Sequence, residues 1–175
     1  SMEQIKDADQ EGGLRTKAIY KKSKKNEPLI SIITVVLNNE RYLEEAIESL
    51  KSQSYRNFEH IVIDGGSSDR TLEIIKKNEE SIDYWISKKD KGIYDAFNLG
   101  MKLAKGDYLG FLNSDDKFTD SALTILKKYI FNFPDKDFFF GAVKKHWGIL
   151  HGYKPYKIYW SWGFYSSHST GFFIK

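Results

Sequence analysis

Four consecutive polar residues, Asn113-Ser114-Asp115-Asp116, form a candidate metal site. Adjacent carboxylates repel each other. A cation bound to the carboxylates, and shared with a second anion such as a phosphate, offsets this repulsion. Mg²⁺ is usually held by one or two carboxylates together with substrate phosphates, and Mn²⁺ uses similar oxygen ligands. The alternative is that Asp115 or Asp116 only caps the following helix, whose first turn favours acids. The pattern is compatible with both.

A second candidate is Asp64, which opens the turn Asp64-Gly65-Gly66-Ser67-Ser68-Asp69. Glycine lets the backbone approach a ligand closely, and the carboxylate could accept a hydrogen bond from a base or a ribose hydroxyl. The alternative is a simple strand-to-helix turn with Asp69 as the helix cap. The glycines match neither the dinucleotide fingerprint nor the P-loop, which disfavours both of those functions.

The elements around these residues alternate between strand and helix patterns. Apolar runs predict strands over 29–37, 58–63, 82–87, 108–112 and 137–145. Helical patterns follow Asn38-Asn39 (a predicted cap), the 64–69 turn, Lys91-Gly92 and Asp116. Alternation at this spacing predicts an α/β fold with a mainly parallel sheet flanked by helices. Ligands bind beyond the carboxyl ends of such strands, so the polar clusters are expected to converge in one crevice of nucleotide-binding type.

The composition is typical of a soluble globular protein. The 175 residues carry a mixed net charge of +3, which does not favour nucleic-acid binding. Cysteine is absent, no apolar run approaches the roughly 20 residues that span a bilayer, and the first residues do not resemble a signal peptide. A cytoplasmic location is therefore expected. Ser1 before Met2 resembles a tag remnant.

The two ends of the chain differ from the α/β domain, which we assign to residues 29–145. Residues 1–28 form a polar, basic arm, expected to be mobile or wrapped on the surface and able to touch anionic lipid headgroups at the membrane. Its basic residues are Arg15, Lys17, Lys21, Lys22, Lys24 and Lys25. Aromatic residues crowd 146–175, as a core or interface or as a platform for sugar rings.

Four segments in order resemble the family 2 glycosyltransferases, which are inverting, use nucleotide-sugar donors and have the GT-A fold. They are ISIITVVLNN (30–39), IVIDGGSSDRT (61–71), ISKKDKGIYDAFNLG (86–100) and GDYLGFLNSDDKF (106–118). The segment from His168 to Phe173 is similar to the acceptor side of many members. The resemblance implies a Rossmann-like sheet that lacks its C-terminal portion here.

The resemblance also implies site residues. Asp115 takes the place of the metal-ligating acid of the Asp-x-Asp motif, with Asp116 beside it acting through water. Asn113 departs from the usual first Asp of that motif, and Asp64 matches the acid that contacts the base or ribose. The remaining nucleotide-binding positions are Val35, Asn38, Gly65, Asp90, Gly92, Asp95, Asn98 and Ser114.

The implied reaction is glycosyl transfer with inversion from a nucleoside-diphosphate sugar to a hydroxyl of a saccharide or glycoconjugate, with Mn²⁺ or Mg²⁺ as cofactor. The family's catalytic base lies downstream of the 168–173 segment, whereas this chain ends at Lys175. We therefore expect the base to come from sequence missing here or from another subunit, with His168 as the substitute within the chain. A homodimer that buries the aromatic residues is a further expectation.

Two alternatives to a transferase remain open at this stage. A catalytically silent module would hold nucleotide and transfer nothing, using the same binding residues. A receiver-like regulator would pair its acids with a lysine at a later strand end, for which Lys144 and Lys145 are the candidates.

Overall fold

A seven-stranded sheet organises the fold in a computed structural model, which describes residues 10–89, 92–140, 143–145, 148–150 and 172–175. The strands are β1 Gln10–Gly12, β2 Ile30–Val36, β3 Phe58–Asp64, β4 Tyr84–Ser87, β5 Tyr108–Phe111, β6 Phe138–Phe140, β7 Val143–Lys145, β8 Gly148–Leu150 and β9 Phe172–Ile174. The helices are α1 Leu43–Lys51, α2 Thr71–Lys77, α3 Ile93–Leu103 and α4 Ala122–Asn132. Two short 3₁₀ helices cover Leu14–Lys17 and Glu79–Ser81.

The strand order β1-β4-β3-β2-β5-β9-β6 confirms the mainly parallel sheet. β4, β3, β2 and β5 run parallel to one another, whereas β1, at one edge, pairs antiparallel with β4. On the other side, β9 is antiparallel to β5 and to β6. The prediction of a single strand over 137–145 is wrong, because β6 joins this sheet while β7 pairs with β8 in a separate ribbon.

The central strands β2 and β3 are buried on both faces, as the continuous apolar sequence of β2 predicts for that strand. One face of the sheet packs on α1, α2 and α4, and its core includes Ile30, Ile32, Val36, Leu43, Ile47, Val62, Leu123 and Leu126. The other face packs on α3, and its core includes Ile33, Ile61, Ile63, Ala96 and Leu99. α3 approaches β2 so closely that a Cβ on Gly100 would lie 2.5 Å from Ile33 Cγ2. The helices packed on both faces hold the central strands in place and thereby position the loops at the ends of those strands.

The N-terminal arm, of which residues 10–28 are described, lies on the sheet. β1 extends the sheet edge, and backbone hydrogen bonds join Leu14 N to Ile82 O and Arg15 N to Asp83 O. Arg15 forms a buried ion pair with Glu59, and Lys21 pairs with Asp83 at 2.9 Å. Of the two expected arrangements, residues 10–28 therefore adopt the wrapped one.

Basic side chains of the arm are also used in exposed ion pairs within the chain. Lys17 pairs with Glu80, and Lys24 lies 3.9 Å from Glu27. Contact between the arm and anionic lipid stays a prediction. Among the described residues, no helix is long and apolar enough to cross a membrane.

The helix starts decide between two interpretations of the acidic residues. Asp69 accepts a hydrogen bond from Thr71 N, the first backbone donor of α2, at 2.9 Å, from the position just before the N-cap residue Arg70. α4, in contrast, begins at Ala122, well after Asp115 and Asp116. These two acids therefore do not cap that helix. The prediction that Asn38-Asn39 caps α1 is also wrong, since α1 begins at Leu43 and no side chain caps it.

A buried histidine makes the stability of this sheet sensitive to pH. His60 lies within β3, with its Nε2 2.9 Å from Thr34 Oγ1. Burial lowers the pKa of His60 to about 3, and the nearby Lys21 ammonium acts in the same direction. Burial raises the pKa of Asp83, whose carboxylate accepts a hydrogen bond from His60 N at 2.8 Å. The folded state therefore holds His60 as the neutral imidazole.

We expect acid to destabilise the wild type more than His60→Gln. Because the folded-state pKa of His60 lies below its ordinary value, its contribution is complete above about pH 6.5 and is lost as the pH falls toward 3, at up to about 1.4 kcal/mol per pH unit. Between pH 7 and pH 5 this amounts to about 2 kcal/mol, measured as the free energy of unfolding in urea. Asp83 titrates in both proteins, so the difference isolates His60. An equal loss in both proteins would contradict the assignment.

Candidate functional site

The polar loops that follow β2, β3, β4 and β5 lie at the same end of the sheet, beyond the carboxyl ends of the strands, because these four strands are parallel. Backbone hydrogen bonds join neighbouring loops at their bases. Gly65 N donates to Val36 O at 2.9 Å, and Lys88 N donates to Asp64 O at 3.0 Å. The predicted convergence at the carboxyl ends of the strands is therefore observed.

The loops after β2 and β3 are joined mainly by side chains. Asn38 N donates to Ser67 Oγ at 2.8 Å, and Asn38 Oδ1 accepts from Ser68 N at 2.8 Å. Asn38 has a φ of 50°, in the left-handed region that asparagine tolerates better than most residues. A second pair of bonds joins Glu40 N to Asp69 Oδ2 and Arg70 N to Glu40 Oε2. The two loops thus form one unit.

Asp64 lies at the centre of this unit and is fully buried. Its carboxylate accepts hydrogen bonds from the Ser67 backbone and hydroxyl and from Ser87 Oγ, the last at 2.6 Å. Gly66 has a φ of +84°, and a Cβ there would lie 3.2 Å from the Lys89 backbone. Asp64 therefore holds the β3 and β4 loops together, and the predicted contact with a base or ribose stays a prediction.

The loop after β5 carries the predicted metal ligands. Asp115 is exposed and Asp116 is half-buried. Asp116 N donates to Asn113 O at 3.0 Å, and Asn113 Nδ2 donates to Asp116 Oδ2 at 3.1 Å, so the loop closes on itself. Asn39 Nδ2 donates to Ser114 Oγ at 2.9 Å and connects this loop to the one after β2.

The donor set fits a hard divalent ion that is shared with a ligand. Within the described ranges, no group of three or more His, Cys, Asp or Glu side chains is placed to hold a metal. Asp115 and Asp116 instead offer two carboxylates at the loop surface. Mg²⁺ is held in this way, by one or two carboxylates and substrate phosphates, and Mn²⁺ has similar preferences.

The other predicted nucleotide-binding residues differ in burial and in the element on which they lie. Val35 is half-buried within β2, as the predicted strand over 29–37 implies, and it pairs with Ile63 of β3. Gly92 is exposed with a φ of 121° just before α3, and Asp95 and Asn98 are exposed on its first two turns. Asp90 and His168 lie outside the described residues, as does most of the aromatic segment.

Sequence reasoning missed two side chains that hold the site together. The sequence predicts Ser87 only as the last residue of a strand, yet its hydroxyl bonds Asp64. It predicts Asn39 only as part of a helix cap, yet the side chain reaches Ser114. A hydroxyl at the end of a buried strand is a usable signal for the first. No pattern in the sequence indicates the second.

The mainly parallel sheet and the polar loops at the carboxyl ends of its strands define an α/β protein of the class that binds ligands at those ends. The family model described as "Glycosyl transferase family 2" matches residues 31–173, and the chain belongs to this family. The resemblance seen in the sequence is thus confirmed.

Relatives with similar sequences are glycosyltransferases from bacteria. An uncharacterised glycosyltransferase of Mycobacterium tuberculosis is 43% identical over 93 residues, which cover 53% of this chain and 36% of the relative. Another from Haemophilus influenzae is 42% identical over 101 residues, covering 56% and 40%. The chain therefore spans well under half the length of these relatives.

Solved structures confirm the GT-A fold. TarS 1–349 of Staphylococcus aureus, in complex with UDP-GlcNAc, superposes with a TM-score of 0.57 at 27% identity, over 62% of this chain and 32% of that one. A mannosyltransferase of Pyrobaculum calidifontis, in complex with GDP-Man and Mn²⁺, gives a TM-score of 0.61 over 75% and 42%. The latter is 18% identical and bears on the fold alone.

Proposed function

We propose that this protein transfers a sugar, with inversion, from a nucleoside-diphosphate donor to an acceptor hydroxyl in polysaccharide or glycoconjugate biosynthesis. The observation that carries the proposal is the linked set of loops at the carboxyl ends of β2 to β5, with Asp115 and Asp116 at its surface. This arrangement occurs in a chain of glycosyl transferase family 2. Relatives of this fold hold UDP-GlcNAc and GDP-Man, which are donors of the proposed class.

The proposed cofactor is Mn²⁺ or Mg²⁺, held by Asp115 and, through water, by Asp116. When bound, such an ion acts as a Lewis acid that neutralises the charge developing on the diphosphate leaving group. The mannosyltransferase with the same fold is in complex with both GDP-Man and Mn²⁺. Asn113 positions Asp116 through its side-chain amide, so it supports the acid even though it is not one itself.

The remaining nucleotide-binding residues are proposed on their positions at the same edge of the sheet. Asn38, Gly65 and Ser114 belong to the linked loops, while Gly92, Asp95 and Asn98 flank them from the start of α3. We propose that the loops bind the nucleoside diphosphate and that the α3 residues face the donor sugar. The acceptor proton requires a carboxylate or imidazole base near the anomeric carbon.

A thermal-shift panel tests the proposed ligand class. ADP, CDP, GDP, UDP and their common sugar conjugates would be added with and without Mn²⁺. A ligand that binds only the folded state stabilises it by RT ln(1 + [L]/Kd), so we expect one base to raise the melting temperature selectively and only with the metal. Release of nucleoside diphosphate in the presence of an acceptor then tests transfer. Binding without release would instead support a silent nucleotide-binding module.

We expect Asp64→Ala to weaken binding of the nucleoside diphosphate about tenfold or more, since hydrogen bonds to a charged group contribute about 1.5–3 kcal/mol. Binding of pyrophosphate with Mn²⁺ should change far less, because it has no nucleoside. Isothermal titration calorimetry measures both.

The matched control is Asp69→Ala, which removes a carboxylate that bonds the backbone of Glu40 and Thr71 in the same unit. It should leave the ratio of the two affinities unchanged. Equal weakening of both ligands by Asp64→Ala would limit Asp64 to shaping the loop.

A further inference from the structure

Asn39 connects three of the four loops at the candidate site, and its hydrogen-bonded groups have separate roles. Its backbone N donates to Thr71 Oγ1 at 2.9 Å, and Thr71 is fully buried at the start of α2. Its carbonyl accepts from Leu43 N at the start of α1. The backbone of Asn39 is thus fixed by the scaffold, which leaves its side chain to act on the loop after β5.

The side chain of Asn39 determines what the Ser114 hydroxyl can do. Asn39 Nδ2 donates to Ser114 Oγ at 2.9 Å. A serine hydroxyl carries one hydrogen and two lone pairs. Since one lone pair already accepts from Asn39, the hydroxyl hydrogen is directed away from Asn39. Ser114 is therefore left to donate its hydrogen to an acceptor other than Asn39.

We propose that Asn39 is a positioning residue for the metal-diphosphate subsite. It holds Ser114 as a hydrogen-bond donor to a phosphate oxygen and fixes the backbone that carries Asp115. This inference rests on the proposed function, because it assumes that the 113–116 loop binds a divalent cation and a diphosphate. Side chains that orient metal ligands without touching the metal typically contribute about 10–100-fold to metal affinity or activity.

The test measures how strongly Mn²⁺ strengthens binding of ADP, CDP, GDP and UDP by calorimetry. For each protein we compare the manganese ratio, which is the affinity for the nucleotide with Mn²⁺ divided by the affinity without it. We expect Asn39→Ala and Ser114→Ala each to lower this ratio about 10–100-fold. The ratio in the double variant should fall no further than in the single variant with the larger loss, because both substitutions break the same hydrogen-bonded connection. General loosening of the fold would lower both affinities and leave the ratio intact.

A second substitution separates the donor role from mere space filling. Asn39→Asp keeps the shape but replaces the amide donor with a carboxylate. Ser114 would then donate to that carboxylate, and its hydrogen would be lost to the ligand. We expect the ratio to fall at least as far as in Asn39→Ala, although the substituted side chain fills the same volume as the amide.

Asn57→Ala is the matched control at the opposite end of the sheet. Asn57 Nδ2 donates to Lys22 O at 3.2 Å and to Glu27 O at 2.6 Å, just before β3. Its loss should lower the melting temperature at least as much as Asn39→Ala does. It should leave the manganese ratio at the wild-type value.

The outcomes separate this inference from the function on which it rests. If the wild type binds none of the four nucleotides with Mn²⁺, the proposed function fails and the inference fails with it. If the wild type binds and Asn39→Ala keeps the wild-type ratio, only the inference is overturned. Additive losses in the double variant would also overturn it, since Asn39 and Ser114 would then act independently.

Discussion

Asp115→Ala is expected to abolish the manganese-dependent part of nucleoside-diphosphate binding while the protein remains folded. Residues that only orient metal ligands already contribute about 10–100-fold, so losing the proposed ligand should exceed about 100-fold. The fold should persist because Asp115 is exposed on the loop after β5 and lies outside the core. Substitutions at such positions usually change stability by less than about 0.5 kcal/mol.

Calorimetry with and without Mn²⁺ measures this effect, and thermal unfolding without ligand checks the fold. Asp135→Ala is the control, because Asp135 is another exposed acid in a loop and pairs with Lys136. It should leave binding unchanged. Asp116→Ala should give an intermediate loss, since we propose that Asp116 acts through water, and its carboxylate is held by Asn113. Unchanged manganese-dependent binding in Asp115→Ala would remove Asp115 from the metal site.

Arg15→Ala is expected to lower the free energy of unfolding by about 3–5 kcal/mol, the typical cost of removing one partner of a buried ion pair. The Arg15 and Glu59 side chains are only 8% and 2% exposed. Glu59 also accepts hydrogen bonds from Ser31 Oγ and Lys105 N, so it remains buried when Arg15 is removed. Because domains are stable by only about 5–15 kcal/mol, this single change would remove a large part of the total.

Arg15 connects the arm to two elements of the domain. Besides its ion pair with Glu59 of β3, its Nη1 donates to Leu103 O at the last residue of α3, at 2.8 Å. The family model begins to match at residue 31, after the arm. We therefore expect the arm to be part of the folding unit even though it lies outside the matched residues.

Urea unfolding of three variants tests this expectation. Lys17→Ala breaks the exposed pair with Glu80 and should lower the free energy of unfolding far less than Arg15→Ala does. Glu59→Gln in the Arg15→Ala background removes the unpaired charge and keeps an acceptor for Ser31 and Lys105, so part of the stability should return. A loss of less than about 1 kcal/mol in Arg15→Ala would show that water reaches Glu59 readily.

The central strands and the family could be predicted from the sequence because both depend on local patterns. β2, with the sequence ISIITVV, is almost entirely apolar or β-branched, which is typical of strands buried on both faces, and β3 has the apolar run Ile61–Ile63. The polar residues after each strand indicated the end of the sheet at which a ligand is expected, since parallel strands end on the same side. Asp115 and Asp116 were predicted as metal ligands at this end of the sheet in part for that reason.

The pairing of distant strands could not be predicted in the same way. β9 inserts between β5 and β6, so residues 138–140 pair with residues 172–174. Strand pairing depends on hydrogen bonds between segments that are far apart in the sequence, and alternation of polar and apolar residues does not specify the partner. The strand predicted over 137–145 therefore proved to be two strands in different sheets.

For this protein, the sequence alone determined which residues lie at the carboxyl ends of the parallel strands, because residue type and strand length set what is buried and where a strand ends. The tertiary structure alone decided how those residues are used. It buried Asp64 between Ser67 and Ser87, and it brought Asn39 to Ser114 across 75 residues of sequence. It also paired Arg15 of the arm with Glu59. The Asn39–Ser114 and Arg15–Glu59 bonds form between side chains that meet only after the sheet has assembled, so no local pattern in the sequence encodes them.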